Sequence, residues 1–295
     1  QMNIPLQQNS TKIATTVATE NQPKKIIVST TIEPIATENQ PKTTTIAIHK
    51  INVTIIEMTF NHLQFWENLG VNKEVLEKFK VSAISNYSFF SSARNKTFNF
   101  NIKNEIIAFC YEVNGNYEIY IPSQPLQNQE KVFNNGLQNG DIFGLEQLGI
   151  EKTDNLIICA GKKDTILANS KGFKAVTFRS ETHNPTKEQI ETLQNKCNTL
   201  FICYDNDKAG ENAQKRIIEK YPEIIPLQLP NDINDVADFY STEGKTKFIE
   251  HIKKEIAIKD KTNLVETLIS ESETLKKYNF PTEINNPEEY VDDIE

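Results

Sequence analysis

The chain has 295 residues, enough for one large or two modest domains. Its hydrophobic content of 38% and mean hydropathy of −0.50 are low for one compact body, with the deficit concentrated at the two ends, and no apolar run approaches the roughly 18–20 residues of a membrane span. A net charge of −8 and a pI of about 5.3 argue against strong nonspecific nucleic-acid binding by the surface as a whole. The start, Gln1-Met2-Asn3, is no secretory signal and fits a processed chain or a fragment. Cys110, Cys159, Cys197 and Cys203 are scattered and form no CxxC pair, which excludes a zinc ribbon within this chain and suits a reducing, cytoplasmic compartment.

Residues 1–50 are rich in Thr, Gln, Asn and Pro. They carry Ala18-Thr19-Glu20-Asn21-Gln22-Pro23-Lys24 and its repeat Ala36-Thr37-Glu38-Asn39-Gln40-Pro41-Lys42. With no periodic apolar face, this stretch reads as a disordered linker. A small α+β domain is expected over 51–150. Within it, His62 to Gly70 reads as a short helix, and Asn72 to Lys80 as a second one with Asn72 as its N-cap. Ile106 to Val113 and Tyr117 to Ile121 read as strands joined by Asn114-Gly115, a tight-turn signal, so they form a hairpin. Trp66 and the surrounding Phe and Tyr residues are read as its core rather than as a base-stacking platform.

From Asn155 the rhythm changes to alternating strands and helices. Strands are expected at Leu156–Ala160, Ala175–Phe178, Leu200–Tyr204 and Ile224–Leu229. Helices are expected at Lys163–Lys171, Lys187–Lys196 and Lys208–Lys220, with two more at Asp235–Tyr240 and Lys245–Ile256. Such alternation predicts an α/β fold, a parallel four-stranded sheet with helices on both faces, over 151–258. A helical and then acidic, flexible tail is expected over 259–295. Right-handed crossovers put all four strand C-termini on one edge. That edge carries Ala160-Gly161, Arg179-Ser180-Glu181, Asp205-Asn206-Asp207 and Asn231-Asp232, and ligands of parallel α/β sheets collect at such edges.

Two aspartates one residue apart at a strand end are hard oxygen ligands suited to Mg²⁺ with phosphate oxygens. A calcium loop beginning at Asp205 is excluded, because its fifth and twelfth positions hold Ala209 and Arg216. A phosphatase of the haloacid dehalogenase type wants Thr where the chain has Ala209. Lys162, Lys163, Arg179 and Lys208 lie near the carboxylates and are candidate phosphate or nucleic-acid contacts, against the alternative of ordinary solvated charge. His183, alone in a loop, is read as surface.

Tyr204-Asp205-Asn206-Asp207-Lys208-Ala209-Gly210 resembles the second motif of the toprim domain shared by bacterial-type primases, topoisomerases and related nucleases. Ile157-Ile158-Cys159-Ala160-Gly161-Lys162-Lys163-Asp164 sits where that family has a strand ending in Glu-Gly-x-x-Asp. Gly172 to Val176 resembles its turn into strand two. Leu229-Pro230-Asn231-Asp232-Ile233-Asn234-Asp235 resembles the Lys-Asp-x-Asn-Asp stretch of primases, with Asn231 in place of Lys. Upstream, Asn139 to Leu145 resembles the small domain leading into the toprim sheet of phage and mobile-element primases. The family's strand-one Glu is Ala160 here, and a methyl group neither shuttles protons nor binds metal.

The resemblance implies metal-dependent nucleotidyl transfer in primer synthesis for a phage or mobile element. Mg²⁺ or Mn²⁺ is expected on Asp205, Asp207 and Asp232, with Glu181 substituting for the missing acid. Expected partners are a single-stranded DNA template and nucleoside triphosphates, with a replicative helicase as a further one and no membrane. The alternatives are a catalytically degenerate module that binds nucleic acid or a replication partner, and a toprim nuclease.

Overall fold

The structure, a computed structural model, describes residues 50–123 and 132–277. Except for Lys50, the expected linker lies outside the described residues, as does the acidic end of the tail.

The N-terminal part is built on β1 (Ile51–Ile56), β2 (Val81–Ser91), β3 (Lys96–Asn101), β4 (Phe109–Val113), β5 (Asn116–Ile121) and β6 (Val132–Asn135). They form one antiparallel sheet in the order β1-β2-β4-β5-β6, with β3 paired to the outer half of β2. The hairpin at Asn114-Gly115 is present, with positive φ at both residues (50° and 75°), as such a turn demands. The first three strands and β6 are additional to the elements expected from sequence. Ser82, Ser85, Asn86, Ser88 and Ser91 break the period-2 pattern of Val81–Ser91, and pairing with β1 and β3 supplies what periodicity did not. Two helices, α1 (Phe60–Glu67) and α2 (Lys73–Lys78), lie between β1 and β2. Asn72 caps α2, its side chain accepting from the Val75 amide at 3.1 Å. Trp66 is fully buried, edge-on to Phe109.

The second sheet contains β7 (Ile142–Phe143), β8 (Thr153–Cys159), β9 (Ala175–Phe178), β10 (Cys197–Cys203) and β11 (Ile225–Pro226), in the order β11-β10-β8-β9-β7. The four later strands are parallel, as expected, and the two-residue β7 adds an antiparallel edge. The crossovers are α3 (Lys162–Ser170), α4 (Lys187–Gln194) and α5 (Lys208–Lys220). A long α6 (Val236–Lys277) follows, interrupted at Gly244 (φ 79°), which separates the two helices expected there.

Strand alternation sorts the sheet's side chains to two faces. Ile157, Cys159, Phe201 and Cys203 pack with α3, α6 and the first sheet in one continuous core. Leu156, Ile158, Leu200 and Ile202 pack with α4 and α5 on the other side. Helices therefore cover both faces, and the first sheet shares a core with one of them. Among the described residues, no helix is long and apolar enough to cross a membrane.

Candidate active site

A cavity of about 350 Å³ opens where the C-terminal edge of the parallel sheet meets the first sheet. The strand ends deliver Ala160, Arg179, Glu181 and Asp205. The start of α3 adds Lys162, Lys163 and Asp164, the loop before α6 adds Asp235, and β4 and β5 contribute Tyr111, Glu118 and Tyr120. Gly161 is the extended N-cap of the nine-residue α3, so the helix's unpaired first amides lie at the cavity, where anions bind well.

The acids are crowded. Burial pushes the Asp205 carboxyl up to about 7, reinforced by Asp164, Asp235, Glu181 and Asp207. Burial also raises Asp164, with Lys163 opposing and Asp235 adding to the shift. Asp164 accepts the Ala237 amide at 3.0 Å, which ties α3 to the start of α6. Lys163 reaches Asp235 at 3.2 Å. Burial disfavours the charged Lys163, but Asp164 and Asp235 outweigh it and hold the ammonium protonated.

Glu181 has an unusual seat. A Cβ placed on Gly210 would lie 2.8 Å from Glu181 Oε1 and would also strike the Asp205 carbonyl, so only glycine leaves this space. The carboxylate that follows β9 thus lies against Gly210, beside the Asp205 loop. Tyr204 is buried beneath, and burial and then Glu181 raise its hydroxyl pKa.

The residues singled out from sequence are dispersed. Glu181, Asp205, Lys163 and Arg179 share the cavity. Asp207 does not line it: its Oδ1 caps α5, accepting the Ala209 and Gly210 amides at 2.8 Å each. Exposed Asp232 lines a separate hollow with Pro230, Phe239 and His251. Lys208 is exposed on the first turn of α5. His183 is fixed to Gln189 at 2.9 Å, beside the α4 capping box. Lys162 is committed within the protein. Its Nζ meets Glu118 Oε2 at 2.7 Å, both side chains almost fully buried, and donates to the Arg179 carbonyl at 2.5 Å. The same carbonyl accepts from Asn135 at 2.7 Å. The end of β9 that carries Glu181 is therefore strapped to the first sheet.

Sequence reasoning passed over Asp164 and Asp235 as site residues, although each closes a motif quoted for the resemblance. Glu118 also had a signal: one acid on the face of β5 that it shares with Tyr120, in an otherwise apolar strand.

The donor chemistry fits a hard cation. Among the described residues, no group of three or more His, Cys, Asp or Glu side chains is arranged to enclose a metal. The oxygens of Asp205 and Glu181 fit Mg²⁺ in its usual manner, on one or two carboxylates completed by phosphate and water, and not a closed protein cage.

Residues 141–239 match the family described as Toprim-like. The DNA primase of Listeria monocytogenes serovar 1/2a (strain ATCC BAA-679 / EGD-e) is 26% identical over 164 residues, 52% of this chain and 25% of that protein. The chain thus spans a quarter of the length of the curated relative it matches. Among solved structures, a DNA primase domain from Pseudomonas aeruginosa aligns at TM-score 0.48 and 15% identity, covering 65% of this chain and 71% of that one. The primase fragment of the bacteriophage T7 primase-helicase protein aligns at TM-score 0.43 and 11% identity, covering 72% and 83%. The parallel sheet and the family match identify a toprim domain in this chain.

Proposed function

We propose that this chain is a primase-type nucleotidyl-transfer module, working with a divalent cation on a single-stranded DNA template, in which Glu181 replaces the carboxylate absent at Ala160. The observation that carries the reading is the seat of Glu181: it lies against Gly210 and the Asp205 loop, in the one space a side chain at position 210 would fill. Asp205 and Glu181 would hold Mg²⁺ or Mn²⁺, which would supply Lewis-acid polarisation at the α-phosphate and charge neutralisation for the leaving pyrophosphate. Asp205, half protonated near neutral pH, must release its proton before it serves as a ligand. Lys163 and Arg179, together with the α3 amides, orient the triphosphate for in-line attack by a primer 3′-hydroxyl. Asp207 holds the start of α5, and hence Gly210, in place. A replicative helicase as partner, a cytoplasmic location and a phage or mobile-element setting complete the proposal.

A second reading, a non-catalytic toprim module that binds nucleic acid, is favoured by Ala160 and by the absence, among the described residues, of a three-carboxylate group. Incubating the full chain with single-stranded DNA, nucleoside triphosphates and Mn²⁺ separates the possibilities. Extension that is lost in Asp205→Asn supports the proposal. Binding without extension supports the second reading, and degradation of the DNA identifies a nuclease instead.

A further inference from the structure

The outer half of β2, where it pairs with β3, carries a file of aromatic rings. Phe98 stacks on Phe89 (centroids 5.6 Å), Phe89 on Phe100 (5.8 Å) and Phe100 on Tyr87 (4.6 Å, planes 10° apart). Tyr87 is buried and anchors the file, whereas Phe100 is 37% exposed and Phe98 is partly so. Alternation puts Lys96, Phe98 and Phe100 on one face of β3. The Lys96 ammonium and the Arg94 guanidinium each lie 5.6 Å from the Phe98 ring centre. Cross-strand stacking accounts for the rings. It does not account for the charge around them.

That charge is one-sided. From Val81 to Asn104 the sequence holds Arg94, Lys96 and Lys103 and neither Asp nor Glu, in a chain of net charge −8. Ile51 pairs with Phe89, which brings Lys50 to the same end of the hairpin. Among the described residues, none of these four cations has a carboxylate partner. Tyr87 packs with Cys110 and Ile119, on the face of the first sheet opposite Tyr111 and Tyr120, so the file is turned away from the cavity. Exposed rings beside cations that lack carboxylates fit a single-stranded nucleic acid, whose bases pack on the rings while its phosphates meet Lys and Arg. A duplex hides its base faces. An acidic peptide would use the cations and leave the rings idle.

We infer that the β2–β3 hairpin is a docking surface for single-stranded DNA, separate from the catalytic cavity. Bases pack against Phe98 and Phe100, and phosphates meet Arg94, Lys96 and Lys50. The inference rests on the proposed function only for the choice of DNA as the strand, and it does not depend on catalysis in the cavity. A strand held there leaves the cavity free for nucleotide.

The test is fluorescence anisotropy of a dye-labelled oligothymidylate of about 15 nucleotides, within the range of single-strand sites, mixed with the full chain without metal or nucleoside triphosphate. Phe98→Leu/Phe100→Leu keeps apolar bulk and removes two rings. It is expected to bind at least about fivefold more weakly, the lower worth of one stacked base. Arg94→Gln/Lys96→Gln changes only exposed charge. It should weaken binding and reduce the slope of log affinity against log salt by about 1.4, the share of two phosphates on a single strand. Where the ring variant melts below wild type, the charge variant decides. Wild-type affinity in both variants overturns the inference, because the strand then docks elsewhere. Tighter binding of a duplex of the same length overturns it too. So does wild type that binds no oligothymidylate, and binding of phosphatidylserine vesicles in its place identifies a membrane surface instead. Extension of a primer reports on the cavity alone, so the two readings fail separately.

Discussion

The two walls of the cavity treat charge differently. On the side of the first sheet, Glu118 and Lys162 form a buried pair at 2.7 Å, and the same ammonium holds the Arg179 carbonyl. On the parallel-sheet edge, Asp205 sits among acids that raise its pKa to about 7. One wall is matched within the protein; the other has an excess of acid that only a cation or a proton relieves. Adjacent lysines show the contrast most sharply. Lys162 is a strut, whereas Lys163 keeps its charge at the cavity with Asp235 as its partner. Matched charge marks architecture here, and unmatched charge marks chemistry.

The largest expected effect comes from breaking the matched wall. Glu118→Ala leaves an uncompensated buried ammonium and should cost about 3–5 kcal/mol in denaturant unfolding. The double variant Glu118→Leu/Lys162→Met should recover most of that stability, because apolar replacement of a buried pair is often close to neutral. It should not recover activity if the strut is what holds Glu181. On the unmatched wall, Glu181→Gln is expected to reduce nucleotide incorporation about 100-fold, the lower range of acid–base or ligand loss, with little change in melting temperature.

A smaller effect separates the two walls by pH. The Asp205 pKa of about 7 in the folded chain lies above the usual carboxylate value of about 3.9 in the unfolded chain. The folded state therefore holds an extra proton between those values, and stability falls as pH rises from about 4 to about 7. Asp205→Asn should melt about 2–4 °C higher than wild type at pH 8, with the gain vanishing below pH 4. Melting curves at the two pH values check this, and Mn²⁺ should narrow the gap at pH 8 by stabilising wild type. The smallest effect is expected at Lys208, exposed on α5: Lys208→Ala should shift stability by no more than about 0.5 kcal/mol.

The same contrast explains what was legible in the sequence. Local signals carried the toprim half. The run Phe201 to Gly210 places a strand, a turn and α5 in order, and α5 occupies the expected residues. The parallel order and the helices on both faces follow from alternation alone. What the sequence left hidden depends on long-range pairing. Glu118 and Lys162 are 44 positions apart, and no periodicity links them. Tyr111 reads as one more apolar strand residue until the second sheet closes a cavity over it. Asp232 and Asp235 share one motif, and only the turn into α6 decides which of them lines the cavity. Strands β1 and β3 do alternate apolar with polar residues, a strand signal that sequence reasoning passed over, whereas Ser82, Ser85, Asn86, Ser88 and Ser91 break that period in β2.

The central claim is that the carboxylate lost at Ala160 has been replaced from the next strand by Glu181. Calorimetric titration of Mn²⁺ into the nucleotide-loaded chain, for wild type, Asp205→Asn and Glu181→Gln, tests it most directly. The account expects wild type to bind and both variants to lose at least tenfold in affinity. Mn²⁺ binding by Glu181→Gln at wild-type affinity would contradict it.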